Sequence, residues 1–332
     1  MLALLTFSSI LIMSNFGKVR HFSFCPVWCT MNLVQRDRRY WMRLARLTVV
    51  ALVVGLAGGL AGYAVLGSAI YAHNLTHPGC GEMGATPTDV EIAGAQDVTY
   101  LSHDGLTLKA WYLPPQNGVV IILLPGLGGA REGMLREGAI LARHGYGLLM
   151  SELRSCAHPQ GQTTLGYLEA QDLIEAVTWV RGQQDVAHLG VLGYSLGGIT
   201  SILGAAQEER IEAVIAEGGF YDLVADITDE GGDPSWYQSL TYQLVLFFFQ
   251  RETGIAPGDV SPISVIERIS PRPLLLIYGD REVDAHPWEQ LARAGEPKEL
   301  WIVPDCDHGG YLTAAPEEWE RRVVAFFEGA FP

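Results

Sequence analysis

The longest apolar stretch of the chain covers residues 47–72, which include no charged side chain. As a helix it would rise about 39 Å, which exceeds the roughly 30 Å of a bilayer's hydrocarbon core. A helix of this length buried inside a protein would show a polar face, and this stretch shows none. The pattern therefore predicts a transmembrane helix or signal anchor. The Gly-, Pro- and Thr-containing residues 73–96 are expected to form a linker.

Between residues 97 and 331, two kinds of segment follow one another in turn. Short segments that are continuously apolar, or in which apolar and polar residues alternate, are followed by segments with the periodicity of an amphipathic helix. The first two runs flank His103-Asp104-Gly105 and predict an antiparallel hairpin. Strands are expected at residues 97–102, 106–113, 119–124, 146–152, 189–193, 213–216, 273–278 and 299–303. Helices are expected at residues 131–144, 168–181, 198–207, 287–294 and 316–331. This alternation predicts an α/β fold whose mostly parallel, eight-stranded sheet carries helices on both faces.

The alternation stops between residues 219 and 270. One strongly apolar helical stretch, residues 236–249, lies there between Gly- and Pro-rich pieces. An insertion after the carboxyl end of a strand lies over the ligand crevice of an open α/β sheet, so a short helical lid is one interpretation. A packed helix with no part in the site is the other. The sequence leaves both open.

Charge is divided unevenly along the chain. The net charge is −15, yet residues 1–46 hold seven basic side chains against one acidic side chain. Positive residues beside a membrane segment favour the cytoplasmic side, so we expect this basic segment inside the cell and the acidic body outside. Signal-peptide cleavage near Gly67-Ser68-Ala69 is the competing interpretation. An acidic body also excludes nucleic acid as a partner, because phosphate binding needs clustered Lys and Arg.

Roughly the first 30 residues resemble neither an anchor nor a domain, because their apolar run is too short to cross a membrane. We expect them to be an upstream extension of the reading frame, since Met31 or Met42 would each give a basic start before the anchor.

The cysteines complete no metal site, since Cys25 and Cys29 lack a second Cys or His pair. Cys80, Cys156 and Cys306 remain in the acidic body, where one disulfide is possible but cannot be assigned. The Gly-rich loop after residue 124 lacks the Lys-Ser/Thr ending of a phosphate-binding loop. We therefore expect neither a metal nor an organic cofactor.

The pentapeptide Gly193-Tyr194-Ser195-Leu196-Gly197 lies directly between an apolar strand and a helical stretch. A serine hydroxyl is a weak nucleophile unless it is held exposed beside a base. A sharp strand-to-helix turn flanked by small residues does this, and it aims helix N–H groups at the place where an oxyanion forms. The position of the motif, more than its letters, predicts that Ser195 is a catalytic nucleophile.

A nucleophilic serine needs a histidine base, which in turn needs a carboxylate to fix its tautomer. Only His286 and His308 follow Ser195 in the chain. His308 is the preferred base because it lies in the loop after the strand at 299–303, at the carboxyl edge of the sheet. The acid is expected just beyond the strand at 273–278, where three carboxylates are available: Asp280, Glu282 and Asp284.

With these motifs, residues 97–331 resemble the α/β-hydrolase superfamily, in its serine esterase- and peptidase-like branch. The family's triad follows the order Ser, acid, His, and its acid usually stands three residues after a glycine that ends the preceding strand. The resemblance implies a triad of Ser195, Glu282 and His308, with Asp284 as the alternative acid. Glu in place of the commoner Asp is a departure from the family's pattern.

The same resemblance implies an oxyanion hole built from two backbone N–H groups. One belongs to Leu196, and the other to Leu127 in the loop after the third strand, where Pro125 replaces the family's usual His. Arg154, paired with Glu169 or Asp172, would form an ion pair of the scaffold.

The sequence thus predicts a membrane-anchored serine hydrolase that cleaves an ester or amide bond through an acyl-enzyme. Its substrate would be a small-molecule ester or a short peptide, with a carboxylester slightly favoured and a lipid third. The alternatives are a non-catalytic binding protein on the same fold and an acyltransferase or haloperoxidase-like activity. We expect a single-pass protein of the cell membrane with its catalytic domain on the extracytoplasmic side. The sequence does not predict an oligomeric state.

Overall fold

The computed structural model describes residues 27–81, 84–228 and 234–331. Most of the predicted upstream extension lies outside these ranges. The chain divides into two units between Ala61 and Gly62.

The first helix, α1, spans Val27–Thr76. Within the described residues, one helical stretch, Asp37–Thr76, is long and apolar enough to cross a membrane. In the upstream unit its large apolar side chains are exposed, among them Leu47, Leu52 and Leu56. Such exposure is unfavourable in water and is the property expected of a segment that lies in lipid.

The described residues of the second unit form one sheet of eight strands in the order β1-β2-β4-β3-β5-β6-β7-β8. The strands are β1 (Gln96–Leu101), β2 (Thr107–Leu113), β3 (Val119–Leu124), β4 (Gly147–Ser151), β5 (His188–Tyr194), β6 (Ala213–Glu217), β7 (Leu274–Gly279) and β8 (Lys298–Val303). Strand β2 runs antiparallel to β1 and β4, and the other neighbouring pairs are parallel. The mostly parallel sheet is therefore confirmed.

Helices cover both faces of this sheet. They are α2 (Leu135–Arg143), α3 (Arg154–Ala157), α4 (Tyr167–Arg181), α5 (Leu196–Ala205), α6 (Leu223–Thr228), α7 (Trp236–Thr253), α8 (Pro287–Arg293), α9 (Tyr311–Ala314) and α10 (Pro316–Ala330). Side chains of α2 and α10 form the core on one face, and those of α4 and α5 form it on the other. Every residue of β3 is buried, because this central strand packs against both layers.

Three helices begin or end away from their predicted positions. Helix α5 begins at Leu196 and not at residue 198, because Ser195 is already its N-cap residue. The segment predicted as one helix over 131–144 divides into a 3₁₀ turn, Arg131–Met134, and α2. Helix α7 continues beyond residue 249 and stops at Gly254, whose φ of 75° ends a helix readily.

Residues 73–96, predicted as a linker, are held against the body over part of their length. Helix α1 continues to Thr76, and a 3₁₀ turn spans Pro87–Val90. Gly81 forms an isolated β-bridge with Gly129, in the loop after β3. Backbone pairing with the body accounts for the difference, since the Gly and Pro content alone favours a free segment.

A disulfide joins Cys80 to Cys156, which lies on α3. This settles the pairing that the sequence left open, and Cys306 is a buried free thiol. The bridge thus ties the segment that follows α1 to the short helix after β4.

The last turns of α1 pack on α7 through small side chains. Four such residues recur at every fourth position and are buried: Ala64, Ser68, Ala72 and Thr76. Ser68 Oγ donates to the carbonyl oxygen of Thr241 (3.3 Å), and Thr76 Oγ1 donates to Glu252 Oε2 (2.6 Å). Because residues four apart share one face of a helix, this stripe is the face of α1 that meets α7.

Arg154 forms its predicted scaffold ion pair with Asp172 and not with Glu169. Arg154 Nε and Nη2 donate to the two carboxylate oxygens of Asp172 (2.8 and 3.1 Å), and Nη2 also donates to Asp104 (2.9 Å). Glu169 accepts hydrogen bonds from backbone N–H groups just ahead of α4 instead. The buried guanidinium group of Arg154 therefore joins α3, α4 and the β1–β2 turn.

Candidate active site

Ser195 stands at the turn between β5 and α5 in a backbone conformation that few side chains adopt. Its φ is 54° and its ψ is −115°, and its N–H donates to the Glu217 carbonyl oxygen at 2.6 Å. A Cβ added at Gly193 would lie 2.0 Å from the Gly197 carbonyl oxygen. One added at Gly197 would lie 2.2 Å from that of Leu124. Only glycine fits at either position, so the motif's two glycines are a steric requirement of the turn.

The loop after β8 brings His308 onto Ser195. His308 Nε2 lies 2.8 Å from Ser195 Oγ. Asp280 holds this loop, since its carboxylate accepts the N–H groups of Asp305 (2.9 Å) and Cys306 (3.1 Å). Asp280 directly follows β7, so the adjacent carboxyl ends of β7 and β8 together fix the imidazole.

Glu282 is the carboxylate in contact with His308. Its Oε1 lies 2.6 Å from His308 Nδ1, and its Oε2 accepts the Tyr311 hydroxyl and the Gly279 N–H, each at 2.6 Å. Burial raises the pKa of Glu282, but hydrogen bonds from His308, Tyr311 and Gly279 outweigh burial and leave that pKa below its usual value. Glu282 is therefore ionised, the form that holds an imidazole by its Nδ1–H.

The alternative candidates lie further along the same segment. Asp284 is exposed and faces the pocket in front of Ser195. His286 directly precedes α8, with its ring centroid 4.6 Å from that of Tyr221. The acid in contact with the preferred base is Glu282.

The two residues predicted to supply the oxyanion hole border Ser195. Leu196 is the first residue of α5, and N–H groups in the first turn of a helix have no acceptor within it. Leu127 lies in the loop after β3 and lines the same pocket as Ser195. That loop approaches closely, since a Cβ added at Gly126 would lie 3.3 Å from Ser195 Cβ. These positions suit the predicted role, which stays a prediction.

A cavity of about 330 Å³ lies in front of Ser195. Its walls are mainly apolar and include Leu75, Leu165, Ile199, Phe220 and Leu223. The first part of the insertion over residues 219–270 supplies the last two of these and Asp226, whereas its long apolar helix, α7, lines no part of this pocket.

Several residues of the site were not identified from the sequence, and three of them show why. Leu75 comes from the end of α1, Asp226 from α6, and Tyr311 donates the hydrogen bond to Glu282. Tyr311 lies three residues after His308, and this nearness in the chain was its one available signal. Asp226 belongs to the insertion expected over the crevice, but nothing in the pattern singled it out. Leu75 had no signal, because its distance from Ser195 in the sequence hides its nearness in the fold.

One group of metal-ligating side chains occurs among the described residues, away from Ser195. His73 Nδ1 and His77 Nδ1 each lie 3.4 Å from Glu252 Oε2. The group links the end of α1 to the end of α7. The expected independence from metals and cofactors is not tested by it and stays a prediction.

The sheet order and the serine turn between a central strand and its helix place this protein among the α/β-hydrolases, as the sequence resemblance predicted. Within that class, the profile of the X-Pro dipeptidyl-peptidase (S15) family matches residues 76–309. The chain belongs to this family and is a hydrolase.

Known proteins similar to the chain share its fold at low identity. A polyketide transferase of Penicillium sp. is 28% identical in an alignment 287 residues long, which covers 70% of this chain and 95% of that protein. The crystal structure of an α/β-hydrolase from Penicillium sp. sh18 matches with a TM-score of 0.55 and 20% identity, covering 71% of this chain and 98% of that chain. An esterase of Pyrococcus furiosus matches with a TM-score of 0.62 and 22% identity, covering 78% and 99%. At these identities the structural likeness shows the fold alone.

The assignment of the acid predicts a sharp difference between two variants. Glu282→Gln should lower kcat for ester hydrolysis by roughly 10²–10⁴-fold, because a neutral amide neither fixes the His308 tautomer nor stabilises its imidazolium form. Asp284→Asn, at the exposed runner-up, should change kcat by less than about twofold. Steady-state kinetics on one soluble ester, with circular dichroism to confirm folding, measures both. A larger loss in Asp284→Asn would transfer the role to that residue.

Proposed function

We propose that this chain is a membrane-anchored serine hydrolase that cleaves a carboxylester through an acyl-enzyme. The observation that carries the proposal is the unbroken series of hydrogen bonds from Ser195 Oγ to His308 and on to Glu282. This order of contacts is what a serine needs to become a nucleophile. Membership of a hydrolase family supports the same chemistry.

In the proposed first half-reaction, Ser195 Oγ attacks the carbonyl carbon while His308 Nε2 takes the hydroxyl proton. The Leu127 and Leu196 N–H groups donate to the oxyanion of the tetrahedral intermediate. When the intermediate collapses, the bond from carbon to the leaving oxygen breaks and His308 gives its proton to that oxygen. Glu282 holds His308 Nδ1–H throughout and stabilises the imidazolium that forms between the two transfers.

Water completes the proposed cycle. It attacks the acyl-enzyme as His308 takes one of its protons, and collapse releases the carboxylic acid and returns the proton to Ser195 Oγ. The side chains at hand account for every proton moved in the cycle.

Two features bear on the choice between ester and peptide. The name of the family indicates peptides with a proline before the cleaved bond, so a peptide is the second substrate class for the same triad. The cavity walls are mainly apolar, and a peptide's backbone polar groups would lose water there with few partners to replace it. The apolar walls therefore favour an ester.

Labelling with a fluorophosphonate probe tests the proposed nucleophile. Wild-type protein should be labelled covalently, and Ser195→Ala should lose the label because no activated hydroxyl remains. Ser239→Ala, which removes a hydroxyl from α7, should label like wild type.

Labelling that persists in Ser195→Ala would mean that another residue is the nucleophile. Folded wild-type protein that neither labels nor turns over 4-nitrophenyl esters and aminoacyl amides would favour the non-catalytic binding protein.

We infer that α1 anchors the catalytic unit on the extracytoplasmic side of the cell membrane. The basic residues ahead of the apolar stretch support this orientation. The Cys80–Cys156 disulfide supports it independently, because structural disulfides persist in oxidising compartments outside the cytoplasm.

Protease treatment of intact cells measures this orientation. Proteinase K should digest the catalytic unit from outside while a cytoplasmic marker stays intact. A thiol-reactive maleimide should modify Cys80 and Cys156 in the denatured protein only after reduction. Full protection until the membrane is opened by detergent would place the unit inside the cell.

Acyl transfer to a second molecule is the alternative activity, and one observation favours it. The Penicillium protein that covers most of this chain's body is named a polyketide transferase. Hydrolase and transferase share the acyl-enzyme and differ in whether water or another nucleophile takes the acyl group.

The partition of the acyl-enzyme separates these two activities. With a 4-nitrophenyl ester in buffer containing a primary alcohol, the proposed hydrolase should yield mainly free acid, because water reaches the open pocket. Mass spectrometry of the products measures the ratio of new ester to acid. New ester as the main product at millimolar alcohol would identify a transferase.

A further inference from the structure

A second cavity, of about 350 Å³, lies beside the active-site pocket. Helix α1 forms one wall with residues that include Tyr63, Gly67 and Tyr71, and α6 and α7 form the others. We call this cavity the helix groove. Small residues of α1, namely Ala64, Gly67 and Ser68, line this cavity, and the space beside Gly67 is open.

The helix groove and the active-site pocket share a wall residue. Asp226 of α6 lines both cavities. Helix α1 also borders both, since Leu75, one turn beyond Tyr71, lines the pocket in front of Ser195. Helices α1 and α6 therefore line both cavities, which follow one another along these two helices. Ser195 lies in the cavity at one end.

The other end of the groove falls within the predicted membrane segment. Its α1 residues, from Tyr63 to Tyr71, all belong to residues 47–72, which the sequence predicts to lie in lipid. Tyrosines are typical of the boundary between hydrocarbon and water, and the groove contains Tyr237 and Tyr242 of α7 as well. The α1 wall of the groove thus lies at the depth predicted for lipid, at the end of the segment nearest the pocket in front of Ser195.

We propose that the helix groove receives the acyl chain of a membrane-resident ester and guides its carbonyl group to Ser195. The substrate class is then a long-chain acyl ester drawn from the bilayer, so the lipid that the sequence placed third becomes the first choice. This inference rests on the proposed hydrolase activity. The bonds made and broken are those of that mechanism, and the released fatty acid retains the chain that the groove held.

Asp226 is the charged group that such a chain must pass. The Asp226 side chain is exposed to both cavities, and protein atoms surround it on its other sides. Burial raises the pKa of Asp226, and the opposing effect of His308 is smaller. A carboxyl group that gives up its proton less readily is less costly beside an apolar chain than an ordinary aspartate would be.

Gly67 offers a way to fill the groove without disturbing the fold. A Cβ added at Gly67 would meet no atom within 4 Å, so a large side chain there enters open space. Gly62 lies on the same helix with equally open surroundings but does not line the groove. Gly67→Phe and Gly62→Phe are therefore a matched pair.

The experiment uses the full chain in phosphatidylcholine vesicles and two esters with the same leaving group, 4-methylumbelliferyl butyrate and palmitate. Gly67→Phe should lower kcat/KM for the palmitate by at least about tenfold, the effect expected when about two methylene groups lose their apolar contacts. Hydrolysis of the butyrate, which is too short to reach the groove, should change by less than about twofold. Gly62→Phe should match wild type on both esters.

The remaining outcomes distinguish failure of the groove proposal from failure of the proposed hydrolase activity. Butyrate hydrolysis with an unchanged palmitate rate in Gly67→Phe would overturn the groove proposal and leave the serine hydrolase standing. The same holds if wild type cleaves butyrate but not palmitate. Loss of both esters in Gly67→Phe alone would show damage to the site and not occupation of the groove, and would also overturn the proposal. Absence of hydrolysis and of fluorophosphonate labelling in wild type would remove the proposed function itself.

Discussion

The site depends on how closely the chain can pack around the turn at Ser195. The positive φ of Ser195 lifts its hydroxyl above the sheet, and this conformation persists only where neighbouring atoms enforce it. Gly197 provides one constraint, because its Cα faces the carbonyl group of Leu124 at the end of β3 with no room for a side chain. The Ser195 N–H provides another, because it is bound to the carbonyl oxygen of Glu217 at the end of β6. Three adjacent strands thus meet at one serine, and the loop that carries Leu127 begins where one of them ends.

A second close approach lies beside Glu282, the proposed acid, where the family's pattern has an aspartate more often. A Cβ at Gly279 would lie 2.1 Å from the Cys306 carbonyl oxygen, so the end of β7 touches the loop that carries His308. Glu282 has one more methylene group than Asp and needs its carboxylate fixed at a greater reach. Tyr311 and the Gly279 N–H bind one oxygen and leave the other for His308. The longer side chain is therefore as well oriented as a shorter one would be.

The predicted membrane segment and the second unit share one helix, α1. The last turns of α1 belong to the second unit, pack on α7 through a stripe of small residues, and place Leu75 in the wall of the pocket. An anchor joined to the body by a free linker would contribute no residue to the pocket in front of Ser195. Here the Cys80–Cys156 bridge and the pairing of Gly81 with Gly129 hold the segment after α1 to the body. The end of α1, the proposed anchor helix, therefore takes part in shaping the pocket in front of Ser195.

The sequence by itself determined whatever depends on local pattern or on order along the chain. The apolar run of β3 and the hairpin at Asp104 define strands because burial and turn chemistry act over a few residues. The positions of Ser195 and His308 follow from the same logic, since Ser195 directly follows a strand and His308 lies in the loop after another, both at the carboxyl edge of a parallel sheet. The choice among Asp280, Glu282 and Asp284 needed the tertiary structure, because side-chain reach across two loops decides it. The disulfide partner of Cys156, the entry of Leu75 into the pocket and the packing of α7 also needed it. Contacts between residues far apart in the chain leave no periodic signal, and only the packed fold brings their atoms within bonding distance.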